Sequence, residues 1–317
     1  MTTDLLRSDA PVQSSQPVPS PAPMGAFEQS VDLLNPWPRL NLRSILLWVG
    51  LILLVVWGIN GTNARPGELI EGIPNILDFI RRLFPPKYDW TTVPLAISSW
   101  QLFGITIPTV GWPGWTLAVP EVVSAIVETI QMALIGTLLG VVMALPFGLL
   151  AARNTSPHPW FYQSIRFLLN ANRALPEIVY ALIFVAAVGL GPFGGVLALA
   201  ISSIGSVSKL YAEAIEQIDP QQVLAVRATG ANRLLTFIYA VIPQALPVMA
   251  SYTLLLFEGN IRHASILGLV GAGGVGFVIQ KYIALFQYTR LMGTVILMVI
   301  TVTLIDRFSD TLRKRII

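Results

Sequence analysis

Six stretches of this sequence are long and apolar enough to cross a bilayer, which takes about 20 residues with a range of roughly 17–25. They run over about 44–60, 122–151, 174–190, 192–208, 247–266 and 289–305. The second is overlong and must tilt or extend into water. The fourth is diluted by Ser202, Ser203, Ser206 and Ser208. Hydrocarbon offers the backbone no hydrogen-bond partners, so stretches of this kind fold as helices. The expected class is an all-α integral membrane protein with six transmembrane helices. Composition agrees, at 54% hydrophobic and 12% charged, where soluble domains carry about 25% charged residues.

The same composition excludes several functions. The chain has no cysteine, so disulfides, thiolate catalysis and cysteine-bound metals are out. Its two histidines, His158 and His263, are too few for a histidine-rich metal site. The net charge of +3 does not signal nucleic acid, because the basic residues form short clusters beside apolar runs rather than one polar face. No GxxxxGK[ST] phosphate loop, HExxH or Ser–His–Asp arrangement occurs. The expectation is a transport subunit that is not an enzyme and needs no metal or cofactor.

Residues 1–37 are rich in Pro, Ser and Gln (PVQSSQPVPSPAP), which reads as a disordered cytoplasmic tail. They lack the pattern of a cleaved secretory signal, so the first apolar run, within 38–61, is read as a retained helix. Residues 62–120 form an outer segment with an amphipathic stretch, Gly67–Phe84, and a Trp-rich part holding Trp90, Trp100, Trp112 and Trp115. Tryptophan favours the membrane–water interface, which puts this part on the outer surface. Five further spans fill 121–308, and 309–317 is a basic tail. Lys and Arg concentrate in the connections on the side of both termini, above all in the terminal RFSDTLRKR. The positive-inside bias therefore makes the N- and C-termini cytoplasmic in a multi-pass protein of the cell (inner) membrane.

The connection before the fifth span, within 213–246, is the most informative part of the chain. Asp219, Pro220 and Gln222 read as N-cap, N1 and N3 of a helix. That helix passes through Leu224, Ala225 and Arg227 to Thr229 and Gly230, where a left-handed residue is needed. After Ala231, Asn232 caps a second short helix through Ile238, which Pro243 and Pro247 end or kink. The result is a helical hairpin presented to the cytoplasm, whose apolar face needs a partner or burial against its own bundle.

This loop resembles the coupling motif of ATP-binding-cassette importer permeases: EAA, three residues, Gly, nine residues, Ile, one residue, Leu-Pro. Here the matching residues are Leu224-Ala225-Val226, Arg227-Ala228-Thr229, Gly230 and, nine residues later, Ala240-Val241-Ile242-Pro243. The glycine and proline spacing is kept, but the motif's glutamate position is Leu224. The runs ALPFGLLAARN, RALPEIVYALIFVAAVGLGP, VIPQALP and FEGNIRHASILGLVGAGGVG resemble the phosphonate-type subgroup. The resemblance implies a type I importer fold with cytoplasmic coupling helices, and cargo that is a phosphonate, phosphite or phosphate. It also implies two cytoplasmic ATPase subunits, an extracytoplasmic solute-binding protein and a second permease copy, as a homodimer. Asp219, Leu224, Ala225, Arg227, Thr229, Gly230, Ala231 and Asn232 are then the ATPase-coupling residues. An ion-gradient-driven transporter or channel is the alternative, though the two halves show no inverted repeat.

Four further groups are candidates. Glu258, Asn260, Arg262 and Ser265 fall inside the fifth span, with Glu258 ~16 Å from its start and so near mid-bilayer. Glu258 and Arg262, four apart with the acid first, either neutralise each other or line a substrate pathway in which Arg262 attracts an oxyanion. Gly271, Gly273, Gly274 and Gly276 form either a tight turn or an outer gate. Their GxGxxG spacing is no dinucleotide fingerprint, because a membrane helix rather than a strand precedes it. Arg173 and Glu177 flank Pro176 as a pair at the start of the third span, or touch the coupling region. Gly136 and Gly140 give a small-residue packing face beside Glu128 and Gln131.

Overall fold

The computed structural model describes residues 42–316 apart from 63–65, 98–99, 103–104 and 108–109. The tail expected over 1–37 lies outside the described residues. Helix α1, Leu42–Thr62, is apolar on every face, as a membrane span requires. Helix α2, Pro66–Leu83, is the amphipathic stretch. The chain divides within it, at Ile73/Pro74, into two compact units.

After α2 the second unit has strands that the sequence reading did not anticipate. Strand β1 (Trp90–Ile97) pairs antiparallel with β4 (Val110–Pro120), from Trp90 opposite Pro120 to Ile97 opposite Val110, with a register shift between Pro94 and Ala96. Between them β2 (Trp100–Leu102) pairs with β3 (Ile105–Ile107). The Thr, Val, Ile and Trp that dominate this part favour a pleated backbone, so a mostly helical protein carries one β-excursion.

The core is built on α3 (Glu121–Ala151) and α6 (Pro192–Glu216). Gly136, Gly140, Ala144 and Gly148 recur every four residues along α3, all buried. This stripe lets the backbone of α6 come close. A Cβ on Gly140 would sit 3.0 Å from the Ser203 Cβ and 3.2 Å from the Ala200 carbonyl oxygen. Ser208 of α6 donates to the Ala144 carbonyl of α3 at 3.2 Å. The expected small-residue packing face is therefore realised.

The third expected span, 174–190, holds one short helix that is bent against the helix before it. Helix α4 (Pro159–Ala174) meets α5 (Glu177–Val188) at a bend of 83°. Leu175 is extended because the Pro176 ring disfavours helical geometry in the residue before it. At 12 residues α5 is ~18 Å long, short of a ~30 Å hydrocarbon core. Five described helices are long and apolar enough to cross alone, or six if the bent pair crosses as one span.

After α6 come α7 (Pro220–Ala228) and the single turn α8 (Arg233–Thr236). A π-helical turn, Phe237–Val241, then leads without a stop into α9 (Ile242–Leu267). Of the expected end or kink at Pro243, the end does not occur. Pro243 lies just past the π turn, whose shifted hydrogen-bond register accommodates it at the start of α9. Gly268–Val270 is a 3₁₀ turn, followed by α10 (Gly274–Ala284) and α11 (Tyr288–Ile316).

Candidate functional site

The hairpin is built by local chemistry. Asp219 Oδ1 accepts from the Gln221 N–H at 2.9 Å, which caps α7, and Pro220 occupies its first turn. Gly230 has φ +84°, a conformation that ends α7 and turns the chain back. Asn232 Oδ1 accepts from the Leu235 N–H at 2.9 Å, which caps α8. None of the α7 residues is buried, although Val223 and Phe237 pack against a cluster that includes Ile215, Val241 and Ala245. Leu224 is 61% exposed, at the position where the motif has glutamate. The hairpin therefore stands on the bundle by one edge and leaves its other face open.

Its footing is pinned by Glu216, the last residue of α6. Glu216 Oε1 accepts from the Arg166 guanidinium of α4 at 3.0 Å and from the Arg153 N–H, just beyond α3, at 2.8 Å. Arg166 Nε also donates to the Ala151 carbonyl at 3.1 Å. The ends of α3 and α6 and the middle of α4 thus meet three residues before Asp219.

The charged residues of α9 pair differently from the sequence expectation. Glu258 and Arg262 do not neutralise each other. Glu258, its side chain 9% exposed, accepts from Arg313 of α11 at 2.8 Å. Arg262, 46% exposed, donates to both carboxylate oxygens of Asp306 at 3.1 and 3.2 Å. The two residues share a helix face that lies against α11, so cross-helix partners displace the intrahelical pair. Asn260 faces another way and is 1% exposed. It donates to Thr137 Oγ1 of α3 at 2.9 Å and lies 3.4 Å from Ser203 Oγ of α6, tying three helices together. Ser265 is buried and donates to the Ile261 carbonyl of its own helix. Asn260 and Ser265 thus sit in packed helix contacts, apart from the exposed Arg262.

Arg173 and Glu177 are likewise not an i,i+4 pair, because the bend at Leu175–Pro176 places them on different helices. Glu177 lies 3.6 Å from His263 Nδ1 of α9 instead.

The glycine run forms a tight turn. Gly271, Gly273 and Gly274 have φ of +92°, +80° and +66°, which L side chains rarely adopt. Gly276 is required by contact: an added Cβ would collide with the Ser265 carbonyl. Thr129 of α3 accepts from the Val275 N–H at 2.8 Å, serving the start of α10 from a neighbouring helix. The Gly191 N–H donates to the Gly271 carbonyl at 3.0 Å, joining this turn to the one before α6. Both turns line a cleft of ≈ 370 Å³ together with Glu121 and Glu128.

A separate network holds the β-excursion to the bundle. Glu121 accepts from Lys281 Nζ at 2.7 Å and from the Tyr282 hydroxyl at 3.0 Å, while Asp89 accepts from Arg290 at 3.0 Å. Burial first, then the Glu121 hydrogen bond, pushes the Tyr282 phenol above its usual range, so it stays protonated as a donor.

Sequence reasoning missed Asp306, Arg313, Glu216 and Thr129. Their partners lie far along the chain, and only the basic terminal run marked any of them.

Comparisons with known proteins agree with this architecture. Residues 144–317 match the family described as "Binding-protein-dependent transport system inner membrane component". The chain is 34% identical to the phosphite transport system permease protein PtxC of Stutzerimonas stutzeri, over 88% of this chain and 90% of that one. It is 39% identical to the phosphate-import permease protein PhnE of Mycolicibacterium smegmatis, over 71% of this chain and 42% of that one. Its fold is similar to a chain of the MetNI methionine ABC transporter in an inward-facing form, with a TM-score of 0.56 at 22% identity, covering 62% of this chain and 96% of that one. The bent α4–α5 pair, the hairpin capped at Asp219 and Asn232, and these matches have one consistent meaning: the chain belongs to the binding-protein-dependent transport system inner membrane components, as a multi-pass permease of the importer type.

Proposed function

We propose that this permease imports a phosphorus oxyanion (phosphonate, phosphite or phosphate) by alternating access, with ATP hydrolysed in a separate pair of subunits. The observation that carries the coupling reading is the hairpin Pro220–Thr236, firmly footed at Glu216 yet open along α7. A solvent-exposed Leu224 between Gln222 and Arg227 suits a groove on a cytoplasmic ATPase better than it suits water. In this reading Asp219, Leu224, Ala225, Arg227, Thr229, Gly230, Ala231 and Asn232 form the coupling surface. Both termini are cytoplasmic, and the segment 62–120 is extracytoplasmic. A second copy of the chain completes the pathway.

The cargo class is supported by the names of the two relatives. Within the chain, Arg262 is the pathway candidate with an exposed side chain. An oxyanion reaching it competes with Asp306 for the guanidinium, whose planar fork suits carboxylate and phosphate alike. The glycine turn at Gly271–Gly276 is the matching gate, because it closes one end of α9.

The test is uptake in vesicles carrying the permease, its ATPase and its binding protein, with the three anions compared. Arg262→Ala abolishes uptake while leaving insertion and assembly intact; normal transport by that variant removes Arg262 from the pathway. Uptake by the permease alone, driven by an ion gradient, would overturn the ATP-driven reading.

A further inference from the structure

The hairpin leaves the bundle at Asp219 and returns to it through the π-helical turn Phe237–Val241. Both places are weak points. Gln217–Asp219 is a short non-helical connection after α6. A π turn is a widened stretch of helix whose hydrogen-bond register is shifted, as the Ile242 N–H to Phe237 carbonyl bond shows here. A push on the tip of such a hairpin is expected to splay its base before it moves α9.

One side chain closes that base. Gln244, in the first turn of α9, accepts at Oε1 from the Asp219 N–H at 3.0 Å. Its Nε2 donates to the Ala240 carbonyl, inside the π turn, at 2.7 Å. A single amide therefore joins three places: the residue that caps α7, the π turn and the start of the long helix α9. The two bonds use opposite ends of the amide, so neither a carboxylate nor an apolar side chain of the same size can make both.

We propose that Gln244 is a positioning residue for energy coupling. It clasps the two ends of the hairpin so that displacement at α7 is delivered to α9 rather than absorbed at the hinge points. The proposal rests on the reading of α7–α8 as the ATPase contact. The clasp is made to backbone groups at the base of the hairpin, the Asp219 N–H and the Ala240 carbonyl, so its loss acts on the linkage between hydrolysis and transport.

The test uses the full permease with its ATPase and binding protein in vesicles, and whichever of methylphosphonate, phosphite or phosphate the unaltered complex takes up. Gln244→Leu lowers uptake about tenfold, the scale of one to two neutral hydrogen bonds, while ATP hydrolysis falls by no more than about twofold. Gln244→Glu, which keeps the acceptor toward Asp219 and loses the donor toward Ala240, gives an intermediate ratio of solute moved to ATP consumed. Uptake and hydrolysis falling together would mean a role in folding or assembly and would overturn the proposal, as would no change in either.

Amide hydrogen exchange on the purified permease gives a readout independent of any partner. Exchange at Asp219 speeds up in Gln244→Leu and not in Gln244→Glu; equal protection in all three proteins overturns the clasp. If the unaltered complex shows no ATP-dependent uptake, the ATPase-contact reading fails, and the exchange result still decides whether the clasp exists.

Discussion

Two helix contacts in this permease are built on opposite principles. Where α3 meets α6, small residues bring the backbones together, and the spacing of Gly136, Gly140, Ala144 and Gly148 admits one registry. Where α9 meets α11, two ion pairs, Glu258–Arg313 and Arg262–Asp306, bridge the helices through long side chains. The first contact is steric and has no alternative partner set. The second is electrostatic, and its arginines can exchange one oxygen ligand for another as the helices shift. A transporter needs both kinds, a fixed spine and a contact that can be remade. The contrast predicts a fixed spine at α3–α6 and a movable contact at α9–α11.

The sharpest way to break this contrast is to overfill the spine. Gly140→Leu would drive a branched side chain into Ser203 and the Ala200 carbonyl. Backbone cannot rotate away as a side chain can, so the cost is at the upper end of overpacking, about 3 kcal/mol or more. The expected outcome is loss of the monodisperse, folded permease in detergent. Retention of a near-normal melting temperature would show that α6 can slide, and would dissolve the distinction.

Next in size is the buried end of the charged contact. Arg313→Ala leaves Glu258 buried without its counter-charge, which costs about 3–5 kcal/mol for a fully buried pair. Arg313 is itself 29% exposed, so the lower end is expected. The swap Glu258→Arg with Arg313→Glu should recover most of the lost melting temperature; failure to recover would mean that shape rather than charge matters there. Asn260→Ala follows at about 1–3 kcal/mol, because Thr137 and Ser203 lose a buried partner.

These sizes also explain what could be read beforehand. The hairpin was legible because caps are local: Asp219, Gly230 and Asn232 act within a few residues of themselves. The glycine turn was legible for the same reason. The ion pairs were not, since Glu258 and Arg313 are 55 apart in sequence and Arg262 and Asp306 are 44 apart. An acid and a base four residues apart looked sufficient, and only the rotation of α9 against α11 decides otherwise. Pro176 marked the start of α5, but the polar residues of α4 (Gln163, Arg166, Asn170, Asn172 and Arg173) hid its pairing with α5. The strands over Trp90–Pro120 were missed because a search for long apolar runs does not register short stretches rich in Thr, Val and Ile.

The smallest expected effect is the most discriminating one. Arg262 and Asp306 are 46% and 39% exposed, so water already solvates much of both charges. An exposed pair of this kind contributes about 0–1 kcal/mol, and Asp306→Asn should lower stability by no more than that. Salt should shrink the difference further, because exposed charges are screened. If α9–α11 is a contact that can be remade, the same variant alters transport much more than it alters melting, since Arg262 no longer has a competing carboxylate to return to. A stability loss of several kcal/mol would instead make Arg262–Asp306 part of the fixed structure. The contrast between the two contacts would then shrink to the single pair Glu258–Arg313.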